Sequence, residues 1–447
     1  MIVLRWVPLA LLSCCAAAVA PAQTFTSLAS FDQTDGSGPN AALVQGLDGN
    51  FYGTTEYFGP NALGTIFRIT PAGVLTLAAA FNGADGANST STLIAASDGS
   101  LYGVTGEGGT HRNGAVFRLS NQGLQALHSF DAIDGREPDA LLEAADGNFY
   151  GVTFADGAYG YGTIFTLTPS GTLTTLHNFD GYDGQWALGL LQGRDGNFYG
   201  ATSEGGTADY GTIFKITPQG VLTTLYSFQG KLDGGYPVAG LVEATGGDFW
   251  GITGAGGSSA SGTIFRVNPQ GALTVVYNFP TFLGYSALIQ ATDGNFYSTG
   301  YEGGTYGQGE VFEITPGGEV SILHSFNGSD GASPLGGVIQ GTDGAFYGTT
   351  YTGGTLGAGT IFRLSTGLGA FVRPVPTSGK VGSTVQILGT GLAGPASVTF
   401  NGTPAVITAA TPSAITVAVP AGATSGKIRV TQPGGTLSSN IAFRVLQ

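Results

Sequence analysis

The sequence predicts an all-β protein: a seven-bladed β-propeller of four-stranded blades, closed by its N-terminal strand and followed by an immunoglobulin-like β-sandwich. Three observations carry this expectation. A phrase of the form Asp-Gly-Asn-Phe-Tyr-Gly-x-Thr recurs seven times, with aromatic anchors Tyr52, Tyr102, Tyr150, Tyr199, Trp250, Tyr297 and Tyr347 spaced 47 to 51 residues apart. A second phrase, Gly-Thr-Ile-Phe and variants, ends 15 residues after every anchor, at Phe67, Phe117, Phe165, Phe214, Phe265, Phe312 and Phe362. A third, Leu-Thr-Thr-Leu-His-Asn-Phe in one copy, ends at Phe31, Phe81, Phe130, Phe179, Phe228, Phe279 and Phe326. Four strand-like runs in a unit of this length match one propeller blade.

From the N-terminus, residues 1–22 read as a secretory signal. Arg5 precedes an apolar run at 6–20, too short to span a bilayer comfortably, and small residues before Gln23 suit cleavage. Leu11-Leu12-Ser13-Cys14 approaches a lipobox, the rival route, with Leu12 a poor fit. Cys14 and Cys15 are the two cysteines of the chain, so an exported product is expected to rely on packing rather than disulfides. No later stretch reaches the length of a transmembrane helix. The protein is expected to be secreted or associated with the cell surface, and monomeric.

Within residues 23–368 each unit reads as four strands. In the fourth these are 187–192, 198–202, 212–217 and 221–228, joined at Asp195-Gly196, a Glu-Gly-Gly-Thr loop and Pro218-Gln219-Gly220. Asp-Gly reads as a two-residue hairpin turn whose central positions both need positive φ. Proline presets φ in the other turn. Runs such as Ile-Phe-Lys-Ile at 213–216 lack polar alternation, which suits sheets covered on both faces. The chain enters on the third phrase at 24–31, and its last unit stops after the second at 360–364. The N-terminal strand is therefore expected to complete the last blade.

These phrases resemble the GloVer (Gloeo_Verruco) tandem repeat of exported bacterial proteins, over about 24–366. The resemblance implies an exported repeat protein joined to a C-terminal module, and no defined reaction. Units five and six depart from it: Gly246 replaces the turn Asp, Ser298 replaces Gly, and Phe279-Pro280-Thr281 lacks the later Asp-Gly. Those departures argue against one identical ligand site in every blade.

Residues 369–447 form the second domain. From 371 onward there is no acidic residue, but five basic ones: Arg373, Lys380, Lys427, Arg429 and Arg444. Seven short strand-like runs between Gly and Pro turns suggest a small antiparallel sandwich. The run from Pro376 to Gly391, with Val398-Thr-Phe-Asn-Gly402 and Val430-Thr-Gln-Pro-Gly-Gly435, resembles an IPT/TIG domain. That fold occurs with many functions and names none. Residues 23–370 hold 9 basic and 29 acidic residues, a net −20 against +5 for the module, a contrast that suits either mutual attraction or contact with different surfaces.

Composition excludes more than it assigns. Acidic residues outnumber basic ones 29 to 15, which argues against a nucleic-acid partner. No cofactor is expected. Asp32-x-x-Asp35-Gly, Asp131-x-x-Asp134-Gly and Asp180-x-x-Asp183-Gly could offer carboxylates to calcium, but an Asx turn accounts for them better. His128, His177 and His324 share one repeat position, which Tyr226 and Tyr277 fill elsewhere, so packing is expected there rather than metal binding. Glu107, Glu204 and Glu302, each five residues after its anchor, are the candidate ligand-face residues, on Gly-Gly loops at one end of the ring. The function expected is a non-enzymatic interaction or adhesion scaffold for a carbohydrate or protein ligand. The alternative is a carbohydrate-active hydrolase using carboxylates near the axis, a chemistry that needs two of them about 5–10 Å apart.

Overall fold

The structure, a computed structural model, describes residues 23–281, 284, 286–392, 394 and 397–446. The signal-peptide and lipobox readings fall on residues outside these. Among the described residues the chain is all β, with no helix. Seven antiparallel sheets of propeller type follow one another: sheet 1 at 44–80, sheet 2 at 94–129, sheet 3 at 136–178, sheet 4 at 185–227, sheet 5 at 235–278, sheet 6 at 289–325 and sheet 7 at 339–365. Sheet 4 comprises Gln185–Gln192, Phe198–Glu204, Thr212–Ile216 and Leu222–Ser227, each bound within two residues of the sequence reading. The N-terminal strand Thr24–Ser30 pairs antiparallel with Thr360–Ser365 as the outermost strand of sheet 7.

The hairpin turn differs from the expected two-residue form. Gly49 N–H donates to Gly46 O and Gly46 N–H to Asn50 O, and Gly49 alone of the Asp-Gly pair has positive φ, at 83°. Asp48 keeps an ordinary backbone because its carboxylate is the organising group: it accepts Asn50 N–H at 3.1 Å and Tyr52 Oη–H at 2.8 Å. The same carboxylate-to-phenol bond recurs at Asp98–Tyr102, Asp146–Tyr150, Asp195–Tyr199, Asp293–Tyr297 and Asp343–Tyr347. The repeated Asp thus fixes both the turn and the aromatic anchor.

Neighbouring sheets are joined by three repeated contacts. First, the Phe that ends each third phrase meets the second-phrase Phe of the following sheet edge-on. Centroids lie 5.1 Å apart for Phe81–Phe117, 5.3 Å for Phe130–Phe165 and 5.0 Å for Phe31–Phe67, the last joining sheet 7 to sheet 1. Second, the anchor ring of one sheet stacks on the Phe before the next anchor, as in Tyr150–Phe198 at 4.1 Å and Tyr347–Phe51 at 3.9 Å. Third, a side-chain oxygen from five of the inner strands accepts the turn N–H of the preceding sheet. Gln192 takes Ala145, Gln290 takes Thr245, Gln340 takes Thr292, Glu143 takes Ser97 and Gln45 takes Thr342. The hydrophobic clusters alternate in the same way, one of them combining Phe31, Leu43, Phe51 and Phe67 with Tyr347 and Ile361.

The glycine of the phrase Phe-x-x-x-Asp-Gly answers a close approach. At Gly36, φ is +110° and a Cβ would sit 2.0 Å from Thr55 Oγ1. Thr55 itself shares its hydroxyl with Thr65 at 2.8 Å, both fully buried. Where the repeat departs, packing follows: Ser298 replaces the glycine whose Cβ elsewhere would press on Phe67 at 2.5 Å, and Phe279–Phe312 opens to 6.4 Å.

The C-terminal residues form two facing sheets from nine strands, where the sequence reading counted seven runs. Their shared core includes Val385, Ile387, Val398, Phe400, Ile415, Val430 and Phe443. This sandwich is seated on the Asp-Gly turn end of the propeller-like region. Arg373 Nη2 donates to Gln45 O at 2.8 Å, Ser413 Oγ to Leu47 O at 2.9 Å, and Arg444 Nη1 to Arg194 O at 2.8 Å. These arginines donate to backbone carbonyls, and the Arg444 charge also favours the ionised form of nearby Glu243. Burial lowers the Arg373 guanidinium pKa to about 10.

Candidate ligand-binding face

An antiparallel meander places alternate connections at opposite ends. The Asp-Gly-Asn turns share the sandwich end, while the Gly-Gly loops and the loops leading into each inner strand share the other. Backbone bonds tie those two loop sets together, as in Gly59 N–H to Gln33 O, Gly109 N–H to Gly83 O and Gly206 N–H to Gly181 O.

Glu107, Glu204 and Glu302 lie on this free end, in sheets 2, 4 and 6. They are not gathered into one site. Glu107 is exposed and accepts Asn88 Nδ2–H at 2.9 Å, and half-buried Glu204 accepts Gln185 Nε2–H at 3.0 Å, each amide coming from the strand entry of the same sheet. Glu302 is exposed. The Asp-x-x-Asp pairs close as Asx turns: Asp131 Oδ1 accepts Ile133 N–H and Asp134 Oδ1 accepts Asp131 N–H. The second Asp of each pair also takes the repeat-position His, with His128–Asp134 and His177–Asp183 at 2.6 Å. His324–Asp330 does the same at 3.0 Å, and in sheet 4 Tyr226 Oη–H reaches Asp233 at 3.0 Å. Burial is the largest single influence and works against ionising Asp134 and Asp183, but the hydrogen bonds from His128 and His177, the Asx-turn hydrogen bonds and the histidine charge together hold both carboxyls below their ordinary range. Among the described residues no group of three His, Cys, Asp or Glu is arranged to hold a metal.

The sequence reading flanked the three glutamates with Tyr and Trp but named no aromatic position on this face. Among the described residues every exposed aromatic lies at the loop end: Tyr57, Phe58, Tyr159, Tyr161, Tyr182, Tyr236 and Tyr306. They concentrate around sheets 3 to 5. Trp186 stacks on Phe154 with centroids 5.4 Å apart, and Tyr236 lies 5.1 Å from Tyr210. Partial burial raises the Tyr236 pKa, with further contributions from Tyr210, Glu204 and Asp209, so these carboxylates stand beside the aromatic patch.

Trp186 and Tyr236 also occupy an unusual backbone position. Two residues after the Gly of each Asp-Gly, the chain turns through positive φ: 62° at Gly38, 51° at Asn88, 53° at Glu137, 60° at Trp186, 55° at Tyr236 and 54° at Ser333. There the backbone N–H crosses to the Gly-Gly loop of the preceding sheet, as from Trp186 to Tyr161 O at 3.1 Å and from Tyr236 to Tyr210 O at 2.8 Å. Glycine or asparagine suits that geometry, and a bulky residue costs about 1–2 kcal/mol. A position fixed in conformation but variable in side chain was a legible signal, since these residues lie at one offset from Asp-Gly.

At the axis, residues of the inner strands or of the segments leading into them, from all seven repeats, line a cavity of about 450 Å³. Its wall is polar on sheets 1 to 3, with Asn40, Thr90, Ser91 and Asp139, and largely apolar on sheets 4 to 7, with Leu188, Val238 and Leu335. Asp139 is the one carboxylate among the lining residues; burial raises its pKa, although Gly189 N–H, at 3.1 Å, favours the ionised form.

This arrangement, sheets around an axis with loops at one end and a sandwich at the other, defines a propeller-like repeat protein. Residues 16–144, 137–362 and 284–388 match the Gloeobacter/Verrucomicrobia repeat, and residues 373–445 match the IPT/TIG domain. The chain belongs to the Gloeobacter/Verrucomicrobia repeat family. No curated protein matches it by sequence. Among solved structures it is similar to a streptogramin B lyase, at 17% identity and TM-score 0.54, over 77% of this chain and 97% of that one. Similarity extends to the inactive virginiamycin B lyase of Staphylococcus aureus with quinupristin, at 16% identity and TM-score 0.54, over 77% and 99% of the two chains. The extracellular domain of a hybrid two-component system from B. thetaiotaomicron is also similar, at 12% identity and TM-score 0.51, over 95% of this chain and 59% of that one. At these identities the likeness is one of fold.

Proposed function

We propose that the protein is an exported seven-bladed β-propeller, residues 23–368, which binds a carbohydrate on its free loop face, with the sandwich of residues 369–447 as a spacer or contact module. The confinement of exposed aromatics to that face carries the reading. Flat aromatic rings bury the apolar faces of sugar rings while neighbouring carboxylates and amides take their hydroxyls. Trp186 and Tyr236 supply the rings, and Glu204, Gln185 and Asp209 the polar partners. Glu107 and Glu302 contribute on neighbouring sectors, each alone. Peptide binding on the same rings is the nearest competitor, and a glycan and peptide array with the purified chain separates the two. Binding to glycans that Trp186→Ala and Tyr236→Ala both abolish supports the proposal, and an array in which neither substitution changes any signal overturns it.

A hydrolase at the axis draws less support. Two-carboxylate hydrolysis needs a second acid within about 10 Å, and the cavity lining offers Asp139 alone. Turnover of array hits, lost in Asp139→Asn, would favour that alternative. The lyase and sensor-domain likenesses are of fold alone and do not choose between the readings.

A further inference from the structure

The junction between sheets 1 and 2 breaks two of the three repeated contacts at once. At the other six junctions the anchor ring stacks on a Phe of the next sheet, with centroids 3.9 to 4.3 Å apart. Those six anchors are at most 4% exposed. Here the next sheet offers Leu101 instead, and Tyr52 is left partly exposed. The inner-strand residue that elsewhere is Gln or Glu is Ala95. It lies directly across the strand pair from Leu101, as Gln45 lies across from Phe51 and Gln192 from Phe198. Ring and latch are thus missing from adjacent places on the same surface, and a cleft of about 460 Å³ opens there.

The cleft keeps the groups those side chains would have served. Latching glutamines accept the turn N–H of the preceding sheet and donate to their own turn carbonyl, as Gln192 does to Gly196 O at 3.1 Å and Gln290 to Gly294 O at 2.9 Å. The counterparts here are Leu47 N–H and Gly99 O, and both residues line the cleft. Ala95 can bond neither. Arg68 differs from three of its repeat equivalents as well, the remaining positions being Thr166, Arg266 and Glu313. Arg118, Lys215 and Arg363 pair with the turn Asp of their own sheets at 2.8 to 3.0 Å, whereas Arg68 donates to Thr76 Oγ1 and lines the cleft.

From these vacancies we infer that the cleft is a small-molecule site for an aryl carboxamide, separate from the loop face. Its ring takes the place of the missing Phe over Tyr52. Its carboxamide takes the place of the missing Gln, oxygen toward Leu47 N–H and nitrogen toward Gly99 O. One molecule satisfies both vacancies because Ala95 and Leu101 are cross-strand neighbours. Aromatic stacking and two hydrogen bonds in a preformed cleft suit a Kd near or below about 1 mM for a ligand this small.

Benzamide titrated into the full chain, followed by calorimetry and by the Leu47 amide resonance, tests this. Saturable binding is expected, with a shift at Leu47 and binding at least tenfold weaker for cyclohexanecarboxamide. Benzoate separates the roles of the polar groups: tighter binding of benzoate than benzamide would assign the site to Arg68 and an aryl carboxylate, overturning the carboxamide. The double variant Ala95→Gln/Leu101→Phe rebuilds the repeat and is expected to fold with a raised Tm and no binding. Binding that survives in this variant, or its absence in the native chain up to about 10 mM, would overturn the proposal.

Discussion

At the residue scale, glycine, aspartate and histidine each carry a separate structural duty. Gly36 is needed for approach as well as for φ. Gly36→Ala would drive a Cβ into Thr55 Oγ1, adding overpacking of about 1–3 kcal/mol to the left-handed strain. A drop in stability of at least about 2 kcal/mol in urea unfolding is expected. Tyr236→Gly is expected to behave in the opposite way. Relief of φ strain offsets the lost contact with Tyr210, so the unfolding midpoint should stay nearly unchanged while glycan binding falls at least tenfold. Parallel loss of stability and binding would show a packing role instead.

The histidines make a pH prediction at the same scale. Burial lowers the pKa of His324 against the opposing pull of Asp330. The folded state then binds the proton less readily than the unfolded chain, so this contribution to stability is complete above about pH 6.5 and is lost as pH falls through the folded value. Asp134 and Asp183, also held low, add stability above about pH 3.9 that is lost on further acidification. Tyr226 already makes the equivalent bond in sheet 4. His324→Tyr should therefore preserve stability at pH 7 and flatten its decline between pH 6.5 and 5 in thermal melts. An unchanged pH profile would remove His324 from the account.

At the element scale, the N-terminal strand Thr24–Ser30 and the side-chain latches matter most. That strand supplies the outer edge of sheet 7, and the adjoining Phe31 is buried against Phe67 of sheet 1. Deleting 23–31 exposes an unpaired strand edge and an apolar junction together. It should cost several kcal/mol and broaden the melting transition, and unchanged calorimetry would sink the closed-ring reading. Much of this was legible in the sequence, because phrase order alone placed 24–31 after 360–364. The turn type was not. Asp-Gly suggested two positive φ values, but the Asp carboxylate takes Asn50 N–H and Tyr52 Oη, so the backbone needs only Gly49 in the left-handed region.

At the scale of the whole molecule, the −20 and +5 halves suggested either mutual attraction or contact with different surfaces. The contacts are arginine to carbonyl and hydroxyl to hydroxyl or carbonyl, including Thr342–Thr390 at 2.8 Å. Such bonds are short and partly buried, so salt screens them little. Small-angle scattering should give the same profile at low and high salt, and Arg373→Ala/Arg444→Ala should expand it. Swelling of the native chain with salt would return the docking to long-range charge.

By itself the sequence marked the repeat, its strand-like runs, the meeting of 24–30 with 360–365 and the sandwich that follows, because strand periodicity and turn chemistry are local and were repeated with little error. It also placed Glu107, Glu204 and Glu302 on loops at one end of the fold. Only the tertiary structure decided that these glutamates stand apart, each of the first two held by an amide of its own sheet, and that Trp186 packs on Phe154 and Tyr236 on Tyr210. It decided too that Ala95 and Leu101, conservative in the linear text, open a cleft. The physical reason is common to all three: a repeat fixes what each unit does within itself, whereas a site depends on which side chains of different units come to face one another.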